Sequence, residues 1–240
     1  GCSPNGRNIN DGCGSTSPDL LKLTVAGVRA DAGIALDGDG DRVVMVDHLG
    51  RVVDGDQLLY VLARARQATG ELQGPVVGTV MSNLGLELAL KGLGVAFLRA
   101  AVGDRHVLQM LRTHGGVLGG EASGHLLCLD KTTTGDGLIV ALQVLAVMKA
   151  TGKTLAELAA GMSRFPQQLI NVRVTKRFDA AREPSVASAI AEVEKSLGTR
   201  GRVVLRASGT EPLIRVMVEG EDAEAVARHA AALAEAWRGA

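Results

Sequence analysis

The sequence predicts an α/β fold: mixed, mostly parallel α/β sheet domains over residues 1–166, followed by a small α+β domain. Three observations carry this. Between residues 76 and 150, short apolar runs alternate with stretches of helical period across short loops, the pattern of a sheet covered by helices. Upstream, two apolar runs flank a short acidic turn. After Phe165-Pro166 the order becomes strand, helix, strand, strand, helix, which suits a separate unit.

Residues 1–18 are rich in Gly, Asn, Ser and Pro without a hydrophobic period, and read as loop. Ser17 as N-cap and Pro18 at the first position open a short helix. With the strand 32–36 it makes half a βαβ unit, and 43–46 is a second buried strand. Asp54-Gly55-Asp56-Gln57 opens a helix with Leu58, Leu59, Leu62 and Ala63 on one face, both aspartates serving as caps. Strands then follow at 76–80, 95–100, 117–120 and 126–129, with helices at 84–93, 106–114 and 137–150, the last capped by Asp136. The final unit has strands at 169–175, 202–205 and 214–219 and helices at 185–197 and 222–237.

Composition narrows the function. Lys+Arg and Asp+Glu both number 26, so no net basic field exists to hold nucleic acid or an anionic membrane, and 2% aromatics offer little for base stacking. No apolar run reaches the roughly 18 residues that span a bilayer. Cys2, Cys13 and Cys128, odd in number and without metal-ligand spacing, read as reduced thiols of a cytoplasmic protein. Residue 1 is Gly, with no initiator Met or leader, so the chain is expected to be the C-terminal piece of something longer.

Chemistry concentrates in three loops. Asp37-Gly38-Asp39-Gly40-Asp41-Arg42 crowds three carboxylates; at an effective dielectric of about 20 and roughly 5 Å, each ionised pair repels by about 3 kcal/mol, which calls for a cation. All-oxygen ligation suits Mg2+, with Mn2+ or Ca2+ behind it. An EF-hand is excluded, because Arg42 stands where that loop needs Gly and His48 where it needs Glu. In the second loop, Glu121, Ser123 and His125 between Gly120 and Gly124 present an acceptor, a hydroxyl and a titratable ring to a polyhydroxylated ligand. The third, Arg206-Ala207-Ser208-Gly209-Thr210, with Arg215 downstream, offers hydroxyls, turn N–H groups and guanidinium groups to phosphate. His48, His114 and His229 read as surface residues.

Together these loops, in this order and spacing, resemble the α-D-phosphohexomutase superfamily, and the likeness runs along essentially the whole chain. The stretches 78–87, 102–105 and 132–137 look more like the members acting on glucosamine phosphates than like phosphomannomutases and phosphoglucomutases. The resemblance implies that residues 1–53 are part of a second domain, 54–166 a third and 167–240 a fourth. It implies an isomerase that moves phosphate between glucosamine 6-phosphate and glucosamine 1-phosphate through a phosphoserine and a 1,6-bisphosphate, glucosamine or glucose 1,6-bisphosphate being the activator. Asp37, Asp39 and Asp41 would hold Mg2+ and Arg42 would face the transferring group. Glu121 and Ser123 would bind sugar hydroxyls, and His125 would accept a proton. Arg206, Ser208, Gly209, Thr210 and Arg215 would grip the second phosphate. The serine motif of such enzymes, of Ser-His-Asn-Pro type, occurs nowhere in these residues. The alternatives are a phosphomannomutase/phosphoglucomutase or a non-catalytic Mg2+ and sugar-phosphate binding module.

Overall fold

The structure is a computed structural model that describes residues 3–173, 184–207 and 212–238. The chain divides into two compact units, Gly1–Ser163 and Arg164–Ala240.

In the first unit, α1 (Asp19–Val28) precedes an antiparallel meander of β1 (Ala32–Leu36), β2 (Val43–Asp47) and β3 (Val52–Val53). The expected half βαβ unit is therefore a helix followed by hairpins. The cap expected at Ser17 is also displaced: Pro18 precedes the first helical residue without a side-chain cap, and the Ser17 N–H donates to Gly14 O. Next come α2 (Gly55–Thr69), β4 (Val76–Thr79), α3 (Leu84–Gly92), β5 (Phe97–Ala100), α4 (Asp104–His114), β6 (Leu118–Gly120), β7 (Leu126–Cys128), α5 (Gly137–Thr151) and α6 (Leu155–Ala159). The second sheet has the order β5-β4-β6-β7, with parallel pairing in β5-β4-β6 and antiparallel pairing at β7. Parallel pairing thus joins three of the four strands of this sheet, as the alternating pattern of residues 76–150 predicts, while the first sheet is antiparallel throughout. Every residue of β4 is buried, as a strand covered on both faces requires.

The helix α2 ties the unit together. Asp54 accepts from the Gln57 N–H at 3.1 Å while Gln57 reaches back, a capping box that fixes where the helix starts. Its Leu58, Leu59 and Leu62 are buried with Met45 of β2, Leu86 of α3 and Val140 of α5 in one apolar core. At its other end the buried Arg66 donates to Asp130 at 2.9 Å, and that guanidinium, outweighing the effect of partial burial, holds the Asp130 carboxyl below its usual range. Among the described residues no helix is long and apolar enough to cross a membrane.

The second unit contains β8 (Gln167–Arg173), α7 (Pro184–Leu197), β9 (Gly201–Ala207), β10 (Leu213–Gly220) and α8 (Ala223–Arg238). Its antiparallel sheet runs β8-β10-β9. Ile214, Val216 and Val218, alternating along β10, pack with Val186 and Val193 of α7 and with Val226, Leu233 and Trp237 of α8. The intervening Arg215, Met217 and Glu219 take the opposite face, where Glu219 is fully buried between Arg202 and Gln167.

Candidate functional site

The acidic loop is the turn of the β1–β2 hairpin. The Arg42 N–H donates to Asp37 Oδ1 at 3.1 Å and the Gly40 N–H to Asp37 O at 3.3 Å, curling the backbone until carboxylate oxygens of Asp37, Asp39 and Asp41 lie within 4.8 Å of one another. Asp37 and Asp41 are pushed apart in acidity. Burial raises Asp37, but the Arg42 N–H and guanidinium win and hold it below the usual range. Burial and the neighbouring Asp37 together push Asp41 up. Among the described residues Asp41 Oδ1 is closed to solvent without a hydrogen-bond partner, with Arg42 Nε 4.0 Å away. Crowded carboxylates and an orphaned acceptor fit a hard divalent cation, so the residues present suit Mg2+.

The loop after β6 is bonded to this hairpin. The Val43 N–H donates to Gly124 O at 3.0 Å, and a Cβ on Gly124 would lie 2.1 Å from Val43 O, so only glycine allows the approach. Residues Arg42 and His125 form an isolated antiparallel bridge. Within the loop, Glu121 N donates to His125 O and Gly124 N to Glu121 O, both at 3.0 Å. The turn exposes Ser123, leaves Glu121 half-buried and buries His125, whose Nε2 lies 3.5 Å from Asp41 Oδ2. Glu121 Oε1 accepts from the Gly103 N–H at 3.0 Å, which joins the loops at the ends of the parallel strands β5 and β6.

Asp37, Asp39, Asp41, Arg42, Glu121, Ser123 and His125 thus occupy two mutually bonded loops of the first unit. In the second unit, Arg206 and Arg215 are directly opposed in the β9–β10 register, each with a buried Nε lacking a hydrogen-bond partner among the described residues. Ser208, Gly209 and Thr210 lie outside the described residues.

Asp56 has a role that a cap does not describe. Its carboxylate is buried and accepts from the Asn83 N–H at 2.7 Å, bracing the loop after β4. Burial, opposed by the Asn83 N–H and reinforced by Asp54, pushes its pKa up to about 7. A group raised in the folded state contributes stability that is present below its unfolded value of 3.8 and is lost as pH rises through about 7. Asp56→Asn is expected to remove that loss, on the order of 4 kcal/mol, from the pH dependence of urea unfolding. Parallel pH profiles of the two proteins between pH 4 and 7 would contradict the assignment.

Residues 54–165 match the family model described as phosphoglucomutase/phosphomannomutase, alpha/beta/alpha domain III, and residues 169–236 match the C-terminal domain of the same family. The chain belongs to the phosphoglucomutase/phosphomannomutase family. Among phosphoglucomutase/phosphomannomutase relatives, it is 61% identical over 222 residues to the phosphoglucosamine mutase of Methylococcus capsulatus, covering 92% of this chain and 50% of that protein. To the phosphoglucosamine mutase of Alkalilimnicola ehrlichii it is 59% identical over 235 residues, covering 98% and 52%. The chain spans about half the length of these curated relatives. The fold is also that of Aspergillus fumigatus N-acetylphosphoglucosamine mutase, solved in complex with GlcNAc-6P and magnesium, with a TM-score of 0.76, 24% identity and coverage of 96% of this chain and 53% of that one. A serine-to-alanine variant of that enzyme, solved with glucose 1,6-bisphosphate, matches with a TM-score of 0.70 at 24% identity, covering 96% and 53%.

Proposed function

We propose that this chain belongs to a phosphoglucosamine mutase, which interconverts glucosamine 6-phosphate and glucosamine 1-phosphate through a phosphoserine outside these 240 residues and a 1,6-bisphosphate intermediate. The observation that carries the reading is the acidic loop bonded directly to the Glu121–His125 loop, a cation site and a hydroxyl-binding rim in one piece of structure. Relatives with 55–61% identity bearing that name support it. In this reading residues 1–53, 54–166 and 167–240 are the remaining parts of a larger, cytoplasmic enzyme whose partners are sugar phosphates.

Asp37, Asp39 and Asp41 would hold Mg2+, which when bound offsets charge developing on a phosphoryl group in transfer. Arg42, half-exposed beside them with its Nε 3.7 Å from Asp37, can turn its guanidinium toward the same group. Ser123 and the uncommitted Oε2 of Glu121 would take sugar hydroxyls. Arg206 and Arg215, with Ser208, Gly209 and Thr210, would bind phosphate through paired guanidinium donors and fix the sugar for reaction at its other end.

The test is the catalytic efficiency of the full-length protein on glucosamine 6-phosphate and mannose 6-phosphate, with Mg2+ and bisphosphate. A preference for the glucosamine substrate is expected. A preference for mannose would establish the phosphomannomutase/phosphoglucomutase alternative, and no turnover of either would favour a binding module.

A further inference from the structure

The first turn of α2 is bonded to two of the loops that leave the ends of the parallel strands. The Gly55 N–H donates to Ala122 O at 3.1 Å, and a Cβ on Gly55 would lie 2.1 Å from Glu121 O, so the helix start sits directly against the Glu121–His125 loop. One residue on, the buried Asp56 carboxylate accepts from the Asn83 N–H at 2.7 Å and holds the turn that follows β4. The two loops are neighbours, since β4 and β6 pair in parallel.

Starting the helix does not require Asp56, because the capping box of Asp54 and Gln57 already does so. The Asp56 side chain is 1% exposed, and its Oδ1 has no hydrogen-bond partner among the described residues. Burying a charge in that way is costly, and an apolar side chain would fill the same volume at less cost. What the carboxylate supplies is an acceptor for the turn after β4.

That turn is tied on every side. The Val80 N–H donates to Ala100 O, the Met81 N–H to Thr79 Oγ1 and the Ser82 N–H to Thr79 O, which with Asn83 engages all four N–H groups of residues 80–83. Arg99 of β5 donates from Nη1 to Thr79 O at 2.9 Å and to Ser82 O at 2.7 Å. A turn without a spare N–H meets a ligand through its shape and side chains, so its placement matters. Contacts therefore run from this turn through Asp56 and Gly55 to the Glu121–His125 loop, from Glu121 to Gly103, and back along β5 to Arg99.

We infer that Asp56 is a positioning residue for the sugar: it closes this ring of contacts and so holds the loops after β4, β5 and β6 as one rigid face toward the sugar phosphate. The inference rests on the function proposed above.

The experiment is steady-state kinetics of the full-length protein on glucosamine 6-phosphate with Mg2+ and bisphosphate, at a pH above about 7, where the Asp56 carboxylate is charged. Inhibition by inorganic phosphate and a thermal melt are measured for each variant. Asp56→Ala removes the acceptor and is expected to raise KM about tenfold, the lower end of what a hydrogen bond to a charged group is worth, with a smaller change in kcat. Asp56→Asn keeps an oxygen acceptor of about half the strength and is expected to raise KM about threefold. It should melt no lower than wild type, so a weakened fold does not account for that rise. Inorganic phosphate, which lacks the sugar, is expected to inhibit all three proteins equally.

A wild-type KM in folded Asp56→Ala, or an equal weakening of inorganic phosphate, would overturn the inference and leave the proposed function standing. If Asp56→Ala does not fold, Asp56→Asn decides, and a wild-type KM in that variant refutes the role. No turnover by the wild-type protein would overturn the proposed function and the inference with it.

Discussion

Asp39→Asn in the full-length protein is expected to abolish most turnover, by about a thousandfold, while leaving the melting temperature of the metal-free protein unchanged or slightly higher. The sign follows from the loop. Asp39 is exposed, and its charge adds to the repulsion that burial and Asp37 already exert on Asp41. Removing one of three mutually repelling carboxylates relieves the metal-free fold. On the proposed reading the same change takes a charged ligand from the cation, and a bound metal supplies several kcal/mol of charge stabilisation in phosphoryl transfer, each increment of about 1.36 kcal/mol being tenfold in rate. Metal-free melts and kcat measured together separate the two effects. Retained turnover, or a large fall in melting temperature, would contradict the division between ligand and scaffold.

The acidic loop can be read locally because its chemistry is local: glycine alternates with aspartate, and the residues that converge are adjacent in the chain. Arg206 and Arg215 are similarly accessible, since the two strands that carry them are neighbours in sequence and their register sets them opposite one another. Partners distant in sequence are not. Asp56 stands next to a capping box and passes for a cap, but the group that it serves is the Asn83 N–H, 27 positions away. The burial of His125 likewise depends on Gly135 and on the β1–β2 hairpin, which no local pattern encodes. The half βαβ unit expected upstream fails for a related reason. The runs at 32–36 and 43–46 are separated by a loop tight enough to fold back on itself, so they pair antiparallel, while β3 and α6 are too short to show a period.

Glu121 shows how a distant backbone contact can decide the chemistry of a residue that the sequence does expose. One of its oxygens is already committed to the Gly103 N–H, so the carboxylate has Oε2 to offer and a fixed direction in which to offer it. Gly103 sits at φ 121, where a Cβ is strained, and nothing crowds the place where that Cβ would go closer than 3.6 Å. Gly103→Ala should therefore shift the local backbone and its N–H without creating a clash in the core. In the full-length protein we expect kcat/KM to fall by about thirtyfold, within the range for loss of a hydrogen bond to a charged group, with the larger part in KM for the sugar phosphate. Glu121→Ala is expected to cost at least as much. The double variant should cost little more than Glu121→Ala alone, because Gly103 acts through the carboxylate that is then absent. Additive losses would mean that the loop of residues 102–105 meets the ligand on its own account, and an unaffected KM would mean that Glu121 orients something other than the sugar.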